Sequence, residues 1–141
     1  MRYLAILFAT FILIACNTTP DKHGESISLT HAQDSILQYL LKAAASDFYI
    51  HRPPYLVRIR DVRMGQLTTP GGVEQYMLCG QFLPAPNGGK VEWITFATIK
   101  TSGYEQYIGN QAEEFCKRSS IKWIKAGDLA SSLQNRFDSL Q

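Results

Sequence analysis

Four short segments rich in β-branched and aromatic residues follow one another between positions 55 and 109, with turn-forming residues between them. The segments are 55–64, 73–83, 90–100 and 101–109, and the longer connections read GQLTTPGG and PAPNGG. Segments of this length and composition are typical of strands, while clusters of Gly, Pro and Asn are typical of tight turns. Compact turns between successive strands favour an antiparallel meander. We therefore expect an antiparallel sheet of three to four strands, with Gly80 at a bulge or a close approach.

An amphipathic segment precedes the strands. Residues 30–46 carry apolar side chains at helical spacing, and Thr30 with Gln33 matches a capping box. Pro53 and Pro54 end this segment, because proline has no N–H and disfavours helical geometry before it. The pattern predicts an N-terminal helix that packs on the sheet.

Two further helices are predicted after the strands. Residues 110–120 are expected to form a short helix capped by Asn110. Residues 127–140 have an apolar stripe and begin near Asp128, which is typical of a final amphipathic helix. With the sheet, these helices predict a single small α+β domain.

The beginning of the chain has the pattern of an export signal. Arg2 precedes an apolar run from Leu4 to Ala15 that only Thr10 interrupts. A run of this length is typical of a signal peptide and is shorter than the roughly 20 residues that a membrane-spanning helix needs.

The last four residues of that run, Leu13-Ile14-Ala15-Cys16, resemble the lipobox of bacterial lipoproteins. In that family the cysteine thiol receives a diacylglyceryl group, the peptide before it is removed, and the new amino group is usually acylated. The resemblance implies a signal peptide at 1–15, a lipidated Cys16, a flexible tether at 16–28 and a domain at 29–141. The alternative is an ordinary signal cleavage site beside an incidental cysteine.

The lipid would decide where the protein resides. Two or more acyl chains hold a protein durably at a membrane, whereas one chain binds reversibly. Asn17 differs from the aspartate that usually marks inner-membrane retention in enterobacterial lipoproteins. The resemblance therefore favours the outer membrane over the inner membrane of the cell envelope.

The charge balance bears on the class of partner. The formal net charge of +2 includes Arg2, which would leave with the signal peptide. A nucleic-acid-binding domain usually carries a dominant basic field, so this near-neutral balance argues against a nucleic-acid partner.

Two cysteines remain beyond Cys16. In an exported protein an even pair predicts a disulfide between Cys79 and Cys116. Such a bond would tie the short helix to the sheet, and closing a loop of about 38 residues would contribute about 4 kcal/mol. The alternative is two reduced thiols. Their spacing is not C-x-x-C, so we do not expect thiol–disulfide exchange chemistry.

No local pattern indicates catalysis or metal binding. His23, His31 and His51 lack the spacings of metal ligands, and adjacent Glu113 and Glu114 are not an opposed catalytic pair. No nucleophile elbow of the form G-x-S-x-G occurs. We expect no metal, no cofactor and no enzymatic activity.

A group of arginines is the main candidate for a binding site. On a regular strand Arg58 and Arg60 would share one face and Arg63 would lie on the other. Either these charges protect an edge strand from unwanted pairing, or they bind anionic lipid headgroups, cell-wall carboxylates or an acidic protein. The candidate patch consists of Arg52, Arg58, Arg60 and Arg63.

The central part of the chain, about residues 35–118, resembles a group of small exported bacterial proteins and lipoproteins. Their pattern is F-R-x-V-R, then V-C-G-x-V-N, then G-G-Y before an aromatic strand, with a later cysteine. Matching positions are Arg60, Val62, Arg63, Cys79, Gly80, Gly88, Gly89 and Cys116. Departures are Ile59, Phe82-Leu83 and Lys90. The resemblance implies export and a similar fold, and it implies no reaction.

Together these features predict a membrane-anchored envelope lipoprotein with a non-enzymatic binding or structural role toward a protein or cell-wall partner. One alternative is an envelope hydrolase whose site is not local in sequence. Another is an inhibitor or exclusion factor, for which the proline-containing loop PAPNGG would be a pre-organised binding element.

Overall fold

The computed structural model describes residues 29–51, 55–86 and 90–141. The predicted signal peptide, Cys16 and the tether lie outside the described residues, as do Arg52, Pro53, Pro54 and residues 87–89 of the PAPNGG loop. The elements in chain order are α1 (His31–Ile50), β1 (Leu56–Thr68), β2 (Glu74–Pro84), β3 (Ile94–Lys100), β4 (Tyr104–Ile108), α2 (Asn110–Cys116), β5 (Lys122–Ile124) and α3 (Leu129–Asp138). Among the described residues, no helix is both long enough and apolar enough to span a bilayer.

The strands form one antiparallel sheet in the order β4-β3-β2-β1-β5. The predicted α+β fold and the meander from β1 to β4 are confirmed. The fifth strand was not predicted, because its three residues are too few to show a periodic pattern. It pairs with Met64–Gln66, so that part of β1 is not an edge.

β1 contains a β-bulge in its middle. Arg60 pairs with Gln81 and Arg63 pairs with Cys79, so two residues of β1 face Gly80 alone. Asp61, at the bulge, has φ of 54°, a left-handed conformation that Asp tolerates better than most residues. A Cβ on Gly80 would lie 2.7 Å from the Phe96 ring, which confirms the predicted close approach.

The larger core lies between the sheet and the pair α1 and α3. Thr30 and Gln33 form the predicted capping box, and α1 runs four residues beyond its predicted end. The ring of Phe48 packs between Phe82 and Phe96, with centroid distances of 5.3 and 5.1 Å. This core buries side chains from both helices and three strands, including Leu40, Leu41, Met64, Leu78, Leu133 and Phe137.

α3 also provides a hydrogen-bond partner for a backbone group of β1. Asp128 caps this helix by accepting a hydrogen bond from the Ser131 N–H, as its position predicted. The side-chain oxygen of Gln134 accepts a hydrogen bond of 2.9 Å from the backbone N–H of Ile59. A strand group that would otherwise lack a ladder partner is thereby satisfied.

The opposite face of the sheet carries the short helix α2 and a smaller core. The predicted disulfide between Cys79 and Cys116 is present and joins β2 to α2. The predicted cap is wrong: Gly109 is the N-cap, and Asn110 is the first helical residue. Gly109 has φ of 67°, which permits the sharp turn from β4 directly into α2.

Candidate functional site

The helix α2 covers only part of the sheet face on which it packs. It packs mainly against β3 and β4, at one end of the sheet. The arginines of β1 on this face are exposed. The uncovered surface is therefore polar, and it borders the disulfide.

The bulge brings the arginines of β1 onto this one face. Arg58, Arg60 and Arg63 pair with Leu83, Gln81 and Cys79. Because side chains alternate along a strand, these three partners project to the same side, and Cys79 identifies it as the side of α2. The prediction that Arg63 lies opposite the other two is wrong, since the extra residue of the bulge reverses its direction. Arg52 lies outside the described residues.

Arg60 is held in place by three neighbours. Its guanidinium lies 4.0 Å from the ring centroid of Trp93. Its Nε and Nη2 atoms donate hydrogen bonds of 3.0 and 2.9 Å to the side-chain oxygen of Gln81. The carboxylate of Asp61 lies 3.2 Å from Nε. Two of the five N–H groups of Arg60 are thus engaged within the protein, and the others are available to a partner.

Arg63 is positioned by an aromatic ring and, among the described residues, has no polar partner. Its guanidinium lies 4.0 Å from the ring centroid of Trp123 on β5. Trp123 faces Gly65 in the ladder, and a Cβ on Gly65 would lie 3.1 Å from the indole. Glycine therefore lets the indole lie close to the sheet. Within residues 29–51, 55–86 and 90–141, no hydrogen bond or ion pair reaches the Arg63 side chain.

An open groove of about 660 Å³ lies between the bulge of β1 and α2. Arg63 and Asp61 line one side, Glu113 and Lys117 line the other, and the disulfide lies between them. Lys117 donates a 2.6 Å hydrogen bond to Glu113. We call the three exposed arginines of β1 together with Trp93 and Trp123 the arginine–tryptophan surface. The groove adjoins this surface at Arg63.

The arginines of this surface were predicted from the sequence, whereas the two tryptophans were not. Trp93 directly precedes β3, and its place on the arginine side follows only once the register of β3 is known. Trp123 lies on β5, whose three residues are too few to show an alternating pattern. The stacking partners were therefore not accessible from local patterns.

A second polar cluster joins α1 to β4 beside a cavity of about 410 Å³. Nδ1 of His51 lies 3.2 Å from the Asp47 carboxylate, and the Tyr104 hydroxyl donates a 3.1 Å hydrogen bond to the same oxygen. Burial, and then the nearby Asp47 charge, raise the pKa of Tyr104. A raised pKa keeps the phenol protonated as a donor and does not activate it as a nucleophile. The contact ties the end of α1 to the sheet.

The other histidines do not add a site. His31 is exposed at the start of α1, and His23 lies outside the described residues. In the part of the chain that the structure describes, no group of three or more His, Cys, Asp or Glu side chains is placed to hold a metal ion.

Fold and surface together define the class of this chain: a disulfide-bonded α+β domain with an exposed arginine–tryptophan surface. Comparisons with protein-family models, with curated proteins and with solved structures find no match.

Proposed function

We propose that this protein is a lipid-anchored protein of the bacterial cell envelope that binds an anionic partner through the arginine–tryptophan surface, without enzymatic activity. The lipid is attached to Cys16, and residues 16–28 form the tether that connects it to the domain. The protein resides at the outer membrane, and its partner is a protein or a component of the cell wall.

The observation that carries this proposal is the stacking of two arginines on tryptophan rings at an exposed face. A guanidinium over an indole is attracted by the ring and keeps its in-plane N–H groups available to an anion. Holding these side chains in place before binding lowers the entropy lost when the partner arrives. The surface is thus pre-organised for an anionic group.

Two features support the proposed location in the bacterial cell envelope. The lipobox-like sequence ends a signal-like apolar run. The domain contains a disulfide between residues from separate elements, and such bonds persist in oxidising compartments such as the bacterial periplasm. Export through the lipoprotein pathway accounts for both.

The first experiment tests the anchor. The wild-type protein and Cys16→Ser are expressed in a bacterium with its own lipoprotein pathway, and intact mass is measured after detergent phase partitioning. We expect a wild-type mass of residues 16–141 plus acyl groups, less two hydrogens, in the detergent phase. The variant should remain in the aqueous phase. An unlipidated wild type in the aqueous phase would overturn the anchor.

The second experiment tests the binding surface. Cross-linked complexes are captured from intact envelopes with the wild type and with a triple variant, Arg58→Gln, Arg60→Gln and Arg63→Gln. A matched control removes three exposed cations elsewhere on the domain: Lys42→Gln, Arg118→Gln and Lys125→Gln. We expect a specific partner that the first variant loses and the control keeps. Equal recovery by both variants, or recovery of no specific partner, contradicts the proposal.

A further inference from the structure

We infer that the groove beside Arg63 binds the carboxylate of a short peptide. The inference rests on the proposed function in one respect, since Arg63 belongs to the arginine–tryptophan surface. It adds the position of the site and the chemical class of the ligand.

The charges in the groove indicate a ligand with a single negative charge. Within the groove, Asp61 pairs with the guanidinium of the neighbouring Arg60, and Lys117 pairs with Glu113. Arg63 is the cation of the described groove that no carboxylate neutralises. One uncompensated positive charge matches a carboxylate. A phosphomonoester carries about −1.5 to −2, which is more than this one guanidinium neutralises.

The geometry of Arg63 also suits a carboxylate. A planar guanidinium can donate two parallel hydrogen bonds to the two oxygens of one carboxylate. Stacking on Trp123 restricts the tilt of that plane, and Gly65 allows the indole to lie where the stacking occurs. The donor is therefore oriented before the ligand binds.

The bulge supplies the reason to expect a peptide. Asp61 and Val62 face the single residue Gly80, so one residue of β1 is out of the hydrogen-bonding ladder. Backbone groups outside the ladder are partners for the backbone of an extended peptide. The side chains of Gln81 and Thr95 also line the groove and can bind amides. Its volume of about 660 Å³ lies within the usual range for small-ligand sites, roughly 300–1,000 Å³.

The test uses the purified full-length protein in detergent and three acetylated tetrapeptides at millimolar concentration. The first is tetra-alanine with a free terminal carboxylate, and the second is its terminal amide. The third is an amide in which one alanine is replaced by glutamate. Isothermal calorimetry measures binding, and Trp123 emission in a Trp93→Phe background reports on the groove, since the chain has two tryptophans. We expect saturable binding of the free acid and none of the neutral amide. The third peptide shows whether a side-chain carboxylate is also accepted.

Variants connect binding to the groove. Arg63→Gln should weaken binding of the free acid about tenfold or more, because a hydrogen-bonded charge is lost. Arg63→Lys keeps the charge but not the planar fork, so an intermediate affinity is expected. Arg118→Gln is the matched control, since Arg118 stacks on Phe115 at 4.4 Å outside the groove. It should bind like the wild type.

Several outcomes would overturn the inference. These are absence of peptide binding, equal affinity for the free acid and the amide, unchanged affinity in Arg63→Gln, or binding of anionic vesicles or oligonucleotides but not peptides. If the peptides fail while envelope capture still depends on the three arginines, the peptide site is wrong and the proposed function stands. If neither peptide binding nor envelope capture depends on the three arginines, the arginine–tryptophan surface is not a binding site.

Discussion

The two faces of the sheet are stabilised in different ways. On one face, α1 and α3 bury a continuous apolar core that includes Phe82, Phe96 and Phe137. On the other, α2 is seven residues long, its core is smaller, and a disulfide joins it to β2. The covalent bond lets a short helix stay in place without covering the whole face. The remainder of that face is then free to present the arginine–tryptophan surface.

The largest effect is expected from the core beneath α1. Phe96→Ala should lower the free energy of unfolding by about 3–5 kcal/mol, because Phe96 is fully buried and contacts Phe48. Phe115→Ala is the control on the other face, where the ring is only partly buried against Tyr107. Urea denaturation measures both. Equal losses would contradict the difference between the faces.

The disulfide is expected to have the next largest effect. The double variant Cys79→Ala and Cys116→Ala should lose about 4 kcal/mol, since the bond joins residues 37 positions apart and restricts the unfolded chain. Urea denaturation of the wild type with and without reductant should reproduce this loss, and the variant should be insensitive to reductant. A loss below about 1 kcal/mol would show that α2 is held without the bond.

The role of Gly65 in positioning the Trp123 indole can be tested by substitution. An alanine Cβ there would lie 2.6 Å from Ile121 Cγ2 and 3.1 Å from the indole, so both side chains must move. In the Trp93→Phe background, we expect Gly65→Ala to cost about 1–3 kcal/mol and to shift Trp123 emission to longer wavelength. In the control, Gly71→Ala, the nearest atom is 3.9 Å away. Unchanged emission in Gly65→Ala would mean that Gly65 does not position the tryptophan.

Arg63 should matter little for stability. Arg63→Gln removes a stacking contact at an exposed site, for which we expect a loss of about 0.5–1 kcal/mol in urea denaturation. The same variant should strongly weaken ligand binding. A loss as large as that of Phe96→Ala would mean that Arg63 stabilises the fold, and the two faces of the sheet would then not differ in this respect.

The smallest effect concerns acid pH and the start of α3. The hydroxyl of Ser131, followed by its backbone N–H, lowers the pKa of Asp128 below its ordinary value of 3.8. The folded state then favours the ionised carboxylate, so this contribution is present above pH 3.8 and is lost as the pH falls through the lowered pKa. Asp128→Asn retains a cap but does not titrate. Urea midpoints of the two proteins should differ at neutral pH and converge in acid; a constant difference contradicts the assignment.

Much of the fold was accessible from local patterns. The capping box at Thr30 and the cap at Asp128 lie where they were predicted, and β1 to β4 overlap the four predicted strand segments. The predicted start of the GQLTTPGG loop is wrong, because β1 continues through pairing with β2 to Thr68. The cysteine pair was predicted from the redox conditions of an exported protein and is bonded. The arginines of the candidate surface were likewise visible as a cluster.

The assembly of that surface was decided by the tertiary structure. Side chains alternate along a strand, so one extra residue at Asp61 and Val62 moves Arg63 to the face of Arg60. The extra residue is defined by pairing with β2, and the sequence of β1 alone does not contain that register. β5 and its tryptophan are placed by pairing with β1 across more than fifty intervening residues. Local sequence patterns are sufficient for the three helices, the first four strands and the cysteine pair. Register, strand order and β5 depend on long-range packing, and they determine which side chains meet.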